Sequence, residues 1–186
     1  MNRPNKYTMI DKDLLALFKK DPEIAFKRLF DIYYMQLCVY TVQLTDSFEM
    51  AEDVVQKVMI YFWEKKYYER VADDLRGYLF SATRNMALAD LKRKRFVSME
   101  EIAGFEVEIP NEEINEEEWM ERGRQLLEEL EKLPQQELLA VKTVILENKK
   151  YKEAAEELNI SINTLKTHLS RALSKLRKKC NLMLFF

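Results

Sequence analysis

Asn163, Lys166, Thr167, Ser170 and Arg171 recur three and four apart along INTLKTHLSRALSKLRKK, so a helix carries them on one flank. Their shared chemistry is recognition by hydrogen bonding. Arg and Lys donate to guanine edges or phosphates, Asn pairs with adenine, and Thr and Ser reach either. Ile162, Leu165, Leu169, Ala172, Leu173 and Leu176 fall on the other flank and are expected to face inward. Lys175, Arg177, Lys178 and Lys179 extend the basic run and suit phosphate contacts. Upstream, Tyr151, Ala154, Ala155 and Leu158 predict a short helix whose two alanines permit close crossing by a neighbour. Asn159 suits a positive-φ helix end, Ile160 the corner, and Ser161 the cap of the next helix. A short helix, a sharp corner and a basic helix together predict a helix-turn-helix that offers side chains to a DNA major groove. A plain amphipathic hairpin with a solvated basic face explains the charges, but not their coincidence with the cap and the alanine pair.

A second constellation lies in AEDVVQKVMIYFWEK, residues 51–65. Val54, Val55, Val58, Met59, Phe62 and Trp63 form an apolar stripe. Glu52, Asp53, Gln56 and Lys57 are expected beside it on the exposed flank. Polar groups bordering exposed aromatic surface suit a protein-docking face, although an ordinary surface helix has the same composition.

These residues need helices to position them. The chain holds 186 residues with only three glycines and four prolines, too little turn punctuation for a fold of many short strands. An all-α fold is expected, with helices over 11–20, from Pro22 to about Leu44, from Phe48 to about Tyr68, and from Leu75 to about Arg95. Further helices are expected from Trp119 to about Leu133 and from Gln135 to about Glu147, followed by the helix-turn-helix. Residues 96–118 lose the helical period and crowd glutamates, which predicts a self-repelling linker. Two small helical domains result, 8–95 and 119–186, joined by this acidic segment. The net charge of −2 conceals that division. Residues 1–95 carry +3, 96–131 carry −11, 132–141 balance, and 142–186 carry +6, so the pI does not argue against nucleic acid.

Several classes are excluded or disfavoured. No stretch approaches the ~20 apolar residues of a membrane span, and the N-terminus lacks a signal-peptide core, so a cytoplasmic chain is expected. Cys38 and Cys180 fit a reducing compartment, with Cys38 read as a small core side chain. No metal-ligand spacing, phosphate loop or catalytic triad pattern occurs, and the single histidine, His168, has no partner nucleophile or carboxylate in sequence. Neither an enzyme nor a cofactor is expected. The apolar tail 181–186, NLMLFF, is read as a buried cap in preference to a sticky end.

Taken in order, AEDVVQKVMIYFWEK, GYLFSATRNMALADLKRKR and LPQQELLAVKTVILENKKYKEAAEELNISINTLKTHLSRALSKLRKK resemble the extracytoplasmic-function sigma factors of bacterial RNA polymerase. The resemblance covers about 20–95 and 120–179. It implies a region 2-like domain and a region 4-like domain, with core polymerase and promoter DNA as partners and an anti-sigma factor as inhibitor. It puts Asp53 and Gln56 on the polymerase, supported by Glu52 and Trp63. It puts Arg84, Asn85, Asp90, Lys92, Arg93, Lys94 and Arg95 on the helix that reads and melts the −10 element. Holding a displaced strand takes charge and stacking; Tyr78 and Phe80 lie nearby but are expected in the core. It puts Asn163, Lys166, Thr167, Ser170 and Arg171 on the −35 element. Two departures stand out. Glu153-Ala154-Ala155 replaces the Glu-Ile-Ala of many members, and the loop ENKKYKE lacks a glycine often found there. A dimeric helix-turn-helix regulator that works without polymerase, and a helical adaptor without a DNA role, are the rival readings. The first predicts a symmetric dimer, the sigma factor a monomer.

Overall fold

The computed structural model describes the backbone of residues 6–93 and 116–180. The regular elements among the described residues are all helices, with no strand. Helix α1 spans Lys6–Phe18, α2 Pro22–Thr45, α3 Phe48–Glu64 and α4 Leu75–Arg93. Helix α5 spans Glu116–Glu131, α6 Gln135–Val141, α7 Tyr151–Glu157 and α8 Ile162–Arg177. Most of the proposed linker, and the tail 181–186, lie outside the described residues.

Local chemistry sets the boundaries. Asp21 caps α2 by accepting from the Ile24 amide at 3.0 Å, with Pro22 opening the helix. Asp46 ends α2 in the left-handed region at φ 55°, and Ser47 caps α3 by accepting from Met50 N at 3.2 Å. Helix α3 stops at Glu64, short of the expected Tyr68. Lys66 turns left-handed at φ 50°, and Tyr67–Glu69 form a single 3-10 turn. The Asp74 carboxylate accepts from Gly77 N at 2.7 Å, capping α4. A Cβ on Gly77 would meet that carboxylate at 2.0 Å, so a side chain there would push the capping carboxylate aside. Helix α6 runs on through a wide turn over Lys142–Leu146, where Glu147 N bonds Lys142 O at 2.9 Å, five residues back.

Helix α2 is the spine. Helices α1, α3, α4 and α8 all pack on it, and it buries residues all round, among them Leu29, Tyr33, Leu37, Cys38 and Val42. Helix α3 contributes Val55, Met59 and Phe62, and α4 contributes Leu75, Leu79 and Phe80. Helices α1, α2 and α4 are also tied by one buried carboxylate. Asp11 on α1 is 2% exposed. It accepts from the Tyr33 hydroxyl at 2.5 Å and from the Arg76 amide at 2.9 Å. Phe18, Phe62 and Tyr68 close one end, with Phe18 and Tyr68 stacked at 4.7 Å.

In the second group, α8 lies against α5, α6 and α7. Leu165, Leu169, Leu173 and Leu176 are at most 1% exposed; each contributes roughly 2 kcal/mol by leaving water. Ile162, expected inward, is 41% exposed, because in the first turn of α8 it has no helix beyond it to cover it. Glu137 on α6 is 6% exposed and holds Lys175 of α8 through both carboxylate oxygens, at 2.9 and 2.8 Å. Lys175 is therefore an interhelical cation, where the sequence suggested a phosphate contact.

Candidate nucleic-acid and polymerase interfaces

The helix-turn-helix forms as its side chains dictate. Ala154 and Ala155 are buried where α7 meets α8. Asn159 takes φ 52°, and Ile160 N returns to Ala155 O at 3.0 Å, closing the corner. Ser161 Oγ then accepts from Thr164 N at 3.0 Å and starts α8.

The five residues proposed for DNA divide between two settings. Asn163, Thr167 and Arg171 are exposed along one edge of α8. The Thr167 hydroxyl donates to Asn163 O at 2.9 Å, which leaves its lone pairs facing out. Arg171 makes no ion pair among the described residues. Ser170 is half-buried, and Lys166 is turned toward the first helical group. Its ammonium donates to Glu52 Oε2 at 3.0 Å and sits 4.9 Å over the Tyr151 ring. Arg177 follows the same edge, donating to Gln43 O at 2.7 Å and lying 3.0 Å from the Asp46 carboxylate. Of the basic tail, Lys178 and Lys179 remain exposed. His168 is half-buried, and its Nδ1 has no hydrogen-bond partner among the described residues.

On α3, Asp53, Gln56 and Lys57 are exposed as expected. Glu52 is not: it is only 7% exposed, because Lys166 covers it and Tyr34 OH approaches its Oε1 at 3.4 Å. This corrects the expectation of an exposed Glu52; its spacing from Val55, Met59 and Phe62, which the sequence reading did not weigh, is the signal that sets it on the buried stripe. Trp63 is half-buried between Phe26, at 5.0 Å, and Tyr68, at 5.9 Å. It backs the exposed edge of α3 from behind. Exposed Ile60 and Tyr61 extend the α3 surface beyond Gln56.

On α4, Arg84 and Asn85 are half-buried and Lys92 is exposed. The Arg93 side chain, Lys94 and Arg95 lie outside the described residues. Asp90 pairs with Lys57 at 2.7 Å, clamping α4 to α3. Phe80 is buried against Tyr40 at 5.1 Å and under the Arg76 guanidinium, and Tyr78 is partly covered; both serve the core, as expected. Burial pushes the Tyr40 hydroxyl up, and the nearby Arg84 charge opposes this.

Between the two groups lies a cleft of about 580 Å³, with Phe30, Tyr34, Glu52, Gln56, Tyr151 and Lys166 in its lining. Burial pushes the Tyr34 and Tyr151 hydroxyls and the Cys38 thiol well above their ordinary pKa. The acidic and basic side chains in the lining are Asp31, Glu52, Lys149, Lys150 and Lys166. Cys38 is buried and Cys180 half-buried; both are free thiols. Among the described residues no cluster of three or more His, Cys, Asp or Glu could hold a metal, and no helix is long and apolar enough to cross a membrane.

Residues 123–176 match the family described as "Sigma-70, region 4". No curated protein matches the chain. Among solved structures, CnrH in complex with the cytosolic domain of CnrY is 19% identical, with 89% of this chain and 94% of that one covered at a TM-score of 0.37. The sigma factor RpoE in complex with the anti-sigma factor NepR from Bartonella quintana is 20% identical, with 82% and 94% covered at a TM-score of 0.34.

Proposed function

Residues 123–176 carry a sigma-70 region 4 sequence, and from that premise we propose that the chain is an extracytoplasmic-function sigma factor. It directs core RNA polymerase to promoters and performs no chemistry of its own. The observation that carries this reading is the capped helix-turn-helix within the matched segment, with Asn163, Thr167 and Arg171 displayed on α8. The division into 8–95, an acidic linker 96–118, and 119–186 follows from the same reading.

Asp53 and Gln56 meet the polymerase, and Glu52 and Trp63 shape that face from within. Arg84, Asn85 and the basic end of α4 engage the −10 region, holding the displaced strand by charge. Asn163, Lys166, Thr167, Ser170 and Arg171 engage the −35 element, Arg171 being the strongest candidate for a paired base contact. The working site is the cytoplasm, where polymerase is found. An anti-sigma factor is the expected inhibitor; the CnrH and RpoE structures named above each hold a partner of their own.

Run-off transcription with purified core polymerase on a promoter library tests the function. Initiation at defined sites that depends on this chain is the expected result, and its absence would end the reading. Within that assay, Arg171→Ala should weaken use of the −35 element by about 1–3 kcal/mol. Lys175→Ala should leave −35 sequence preference intact, since Lys175 faces Glu137. Equal transcription from wild type and Arg171→Ala would count against the α8 assignment.

A further inference from the structure

Resting on the reading above, we propose that Lys57 is a positioning residue for the −10 element: from the docking edge of α3 it fixes the aim of the basic end of α4. Its ammonium donates to the Asp90 carboxylate at 2.7 Å. The resemblance sets Asp90 on the helix that reads the promoter, yet its carboxylate is engaged by α3. Lys57 and Asp90 therefore serve DNA through the placement of α4 and not by touching the duplex.

Helix α4 is anchored unevenly. Its first half buries Leu75, Leu79 and Phe80, and Asp74 and Asp11 hold its N-terminal end. Ala87 is its last buried residue, and 88–92 are half-buried or exposed. At about 1.5 Å of rise per residue, Arg93 lies roughly 9 Å beyond Ala87, so a small tilt at that point moves the basic end off its target. The Lys57–Asp90 contact is the ion pair printed on this stretch by its geometry: a carboxylate near a helix C-terminus meets the negative end of the macrodipole, and a cation from α3 offsets that. The Asp90 side chain is 15% exposed and that of Lys57 52%. A pair so open to water contributes little to folding, so its loss should be felt in aim more than in stability. The choice of partner also matters. Asp53 stands one turn before Lys57, the acid-first spacing that favours pairing along a helix. Lys57 reaches Asp90 instead, and Asp53 makes no ion pair among the described residues. One lysine thus leaves Asp53 to the polymerase and steadies α4 for the promoter.

A mutant cycle on the full chain with core polymerase tests this. Wild type is compared with Lys57→Ala, Asp90→Ala, the double alanine variant, and the exchange Lys57→Asp with Asp90→Lys. Capture by immobilised core polymerase reads docking, and circular dichroism reads the fold. Permanganate reactivity of −10 thymines, on a promoter from which wild type initiates, reads strand opening. Docking and melting temperature should stay near wild type throughout. Opening should fall about tenfold in each single variant and no further in the double variant, because one contact is lost in all three. The exchange should recover most of it. Opening equal to wild type in the single variants would overturn the role. So would weaker docking by Lys57→Ala, which would make Lys57 a polymerase contact. Recovery in the double alanine variant would overturn it too, by assigning the effect to the unpaired Asp90 charge, as would an exchange no better than the single variants. Failure of wild type itself to initiate would instead overturn the sigma-factor reading, and this role with it. Should Lys57→Ala fail to fold, Lys57→Gln, which keeps most of the apolar stem, carries the same comparison, with Lys57→Arg expected to open the promoter as wild type does.

Discussion

Alanine at both Asp53 and Gln56 is expected to abolish association with core polymerase and leave the fold untouched. The two side chains lie one turn apart on the exposed edge of α3, so a partner helix or strand reaches both together. The apolar stripe behind them, from Val54 to Phe62, is buried and does not involve either. Gln56 makes only a 3.5 Å contact to Tyr34, and Asp53 makes no ion pair among the described residues. Truncating both should cost the free chain less than about 0.5 kcal/mol per site. A central interface residue costs about 2 kcal/mol or more when cut to alanine. Two such losses weaken binding on the order of a thousandfold. Surface-immobilised core polymerase and a melting curve on each protein decide the matter together. Undiminished capture of the double variant would remove α3 as the docking helix, whatever the transcription assay shows.

Asp11→Ala is the corresponding expectation for stability. Its carboxylate sits where α1, α2 and α4 converge and accepts from Tyr33 OH and Arg76 N. The substitution removes both hydrogen bonds and leaves a small void. A hydrogen bond to a charged group contributes about 1.5–3 kcal/mol. We expect a loss of about 3–4 kcal/mol and a fall in Tm of roughly 10 °C for a chain of this size. Asp11→Asn should fall between, since the amide has only one oxygen to accept with. A shift of under about 2 °C in Asp11→Ala would show that α1 is not anchored through this carboxylate.

Asp11 illustrates what a linear reading leaves out. In DKDLLALFKK, Asp11 is buried and Asp13 exposed. Its spacing from Leu14, Leu15 and Phe18 sets Asp11 on the apolar flank, but its partners are remote: the Tyr33 hydroxyl, 22 residues away, and the start of α4, 65 residues away. Glu52 was expected on the exposed flank and is buried, although its spacing from Val55, Met59 and Phe62 carried the signal for the covered side. Its covering group carried no such signal, since Lys166 lies 114 residues further on. The partners of Lys175 and Arg177 within the chain were hidden for the same reason. A run of basic residues at a helix end looks alike whether its charges meet phosphate, Glu137 or the end of α2.

The helices, their caps and the helix-turn-helix were settled by the chain's own order, because each depends on partners within about four residues: Asp21 with Ile24, Ser47 with Met50, Ser161 with Thr164. The region 4 character of the last third rests on that same short-range pattern. Tertiary packing alone decided which part of the polar flank of α8 faces water and which part, Lys166 and Arg177, faces α3 and α2, because ion pairs arise between segments that the sequence does not bring together. A charged side chain carries no local mark of its eventual counter-ion.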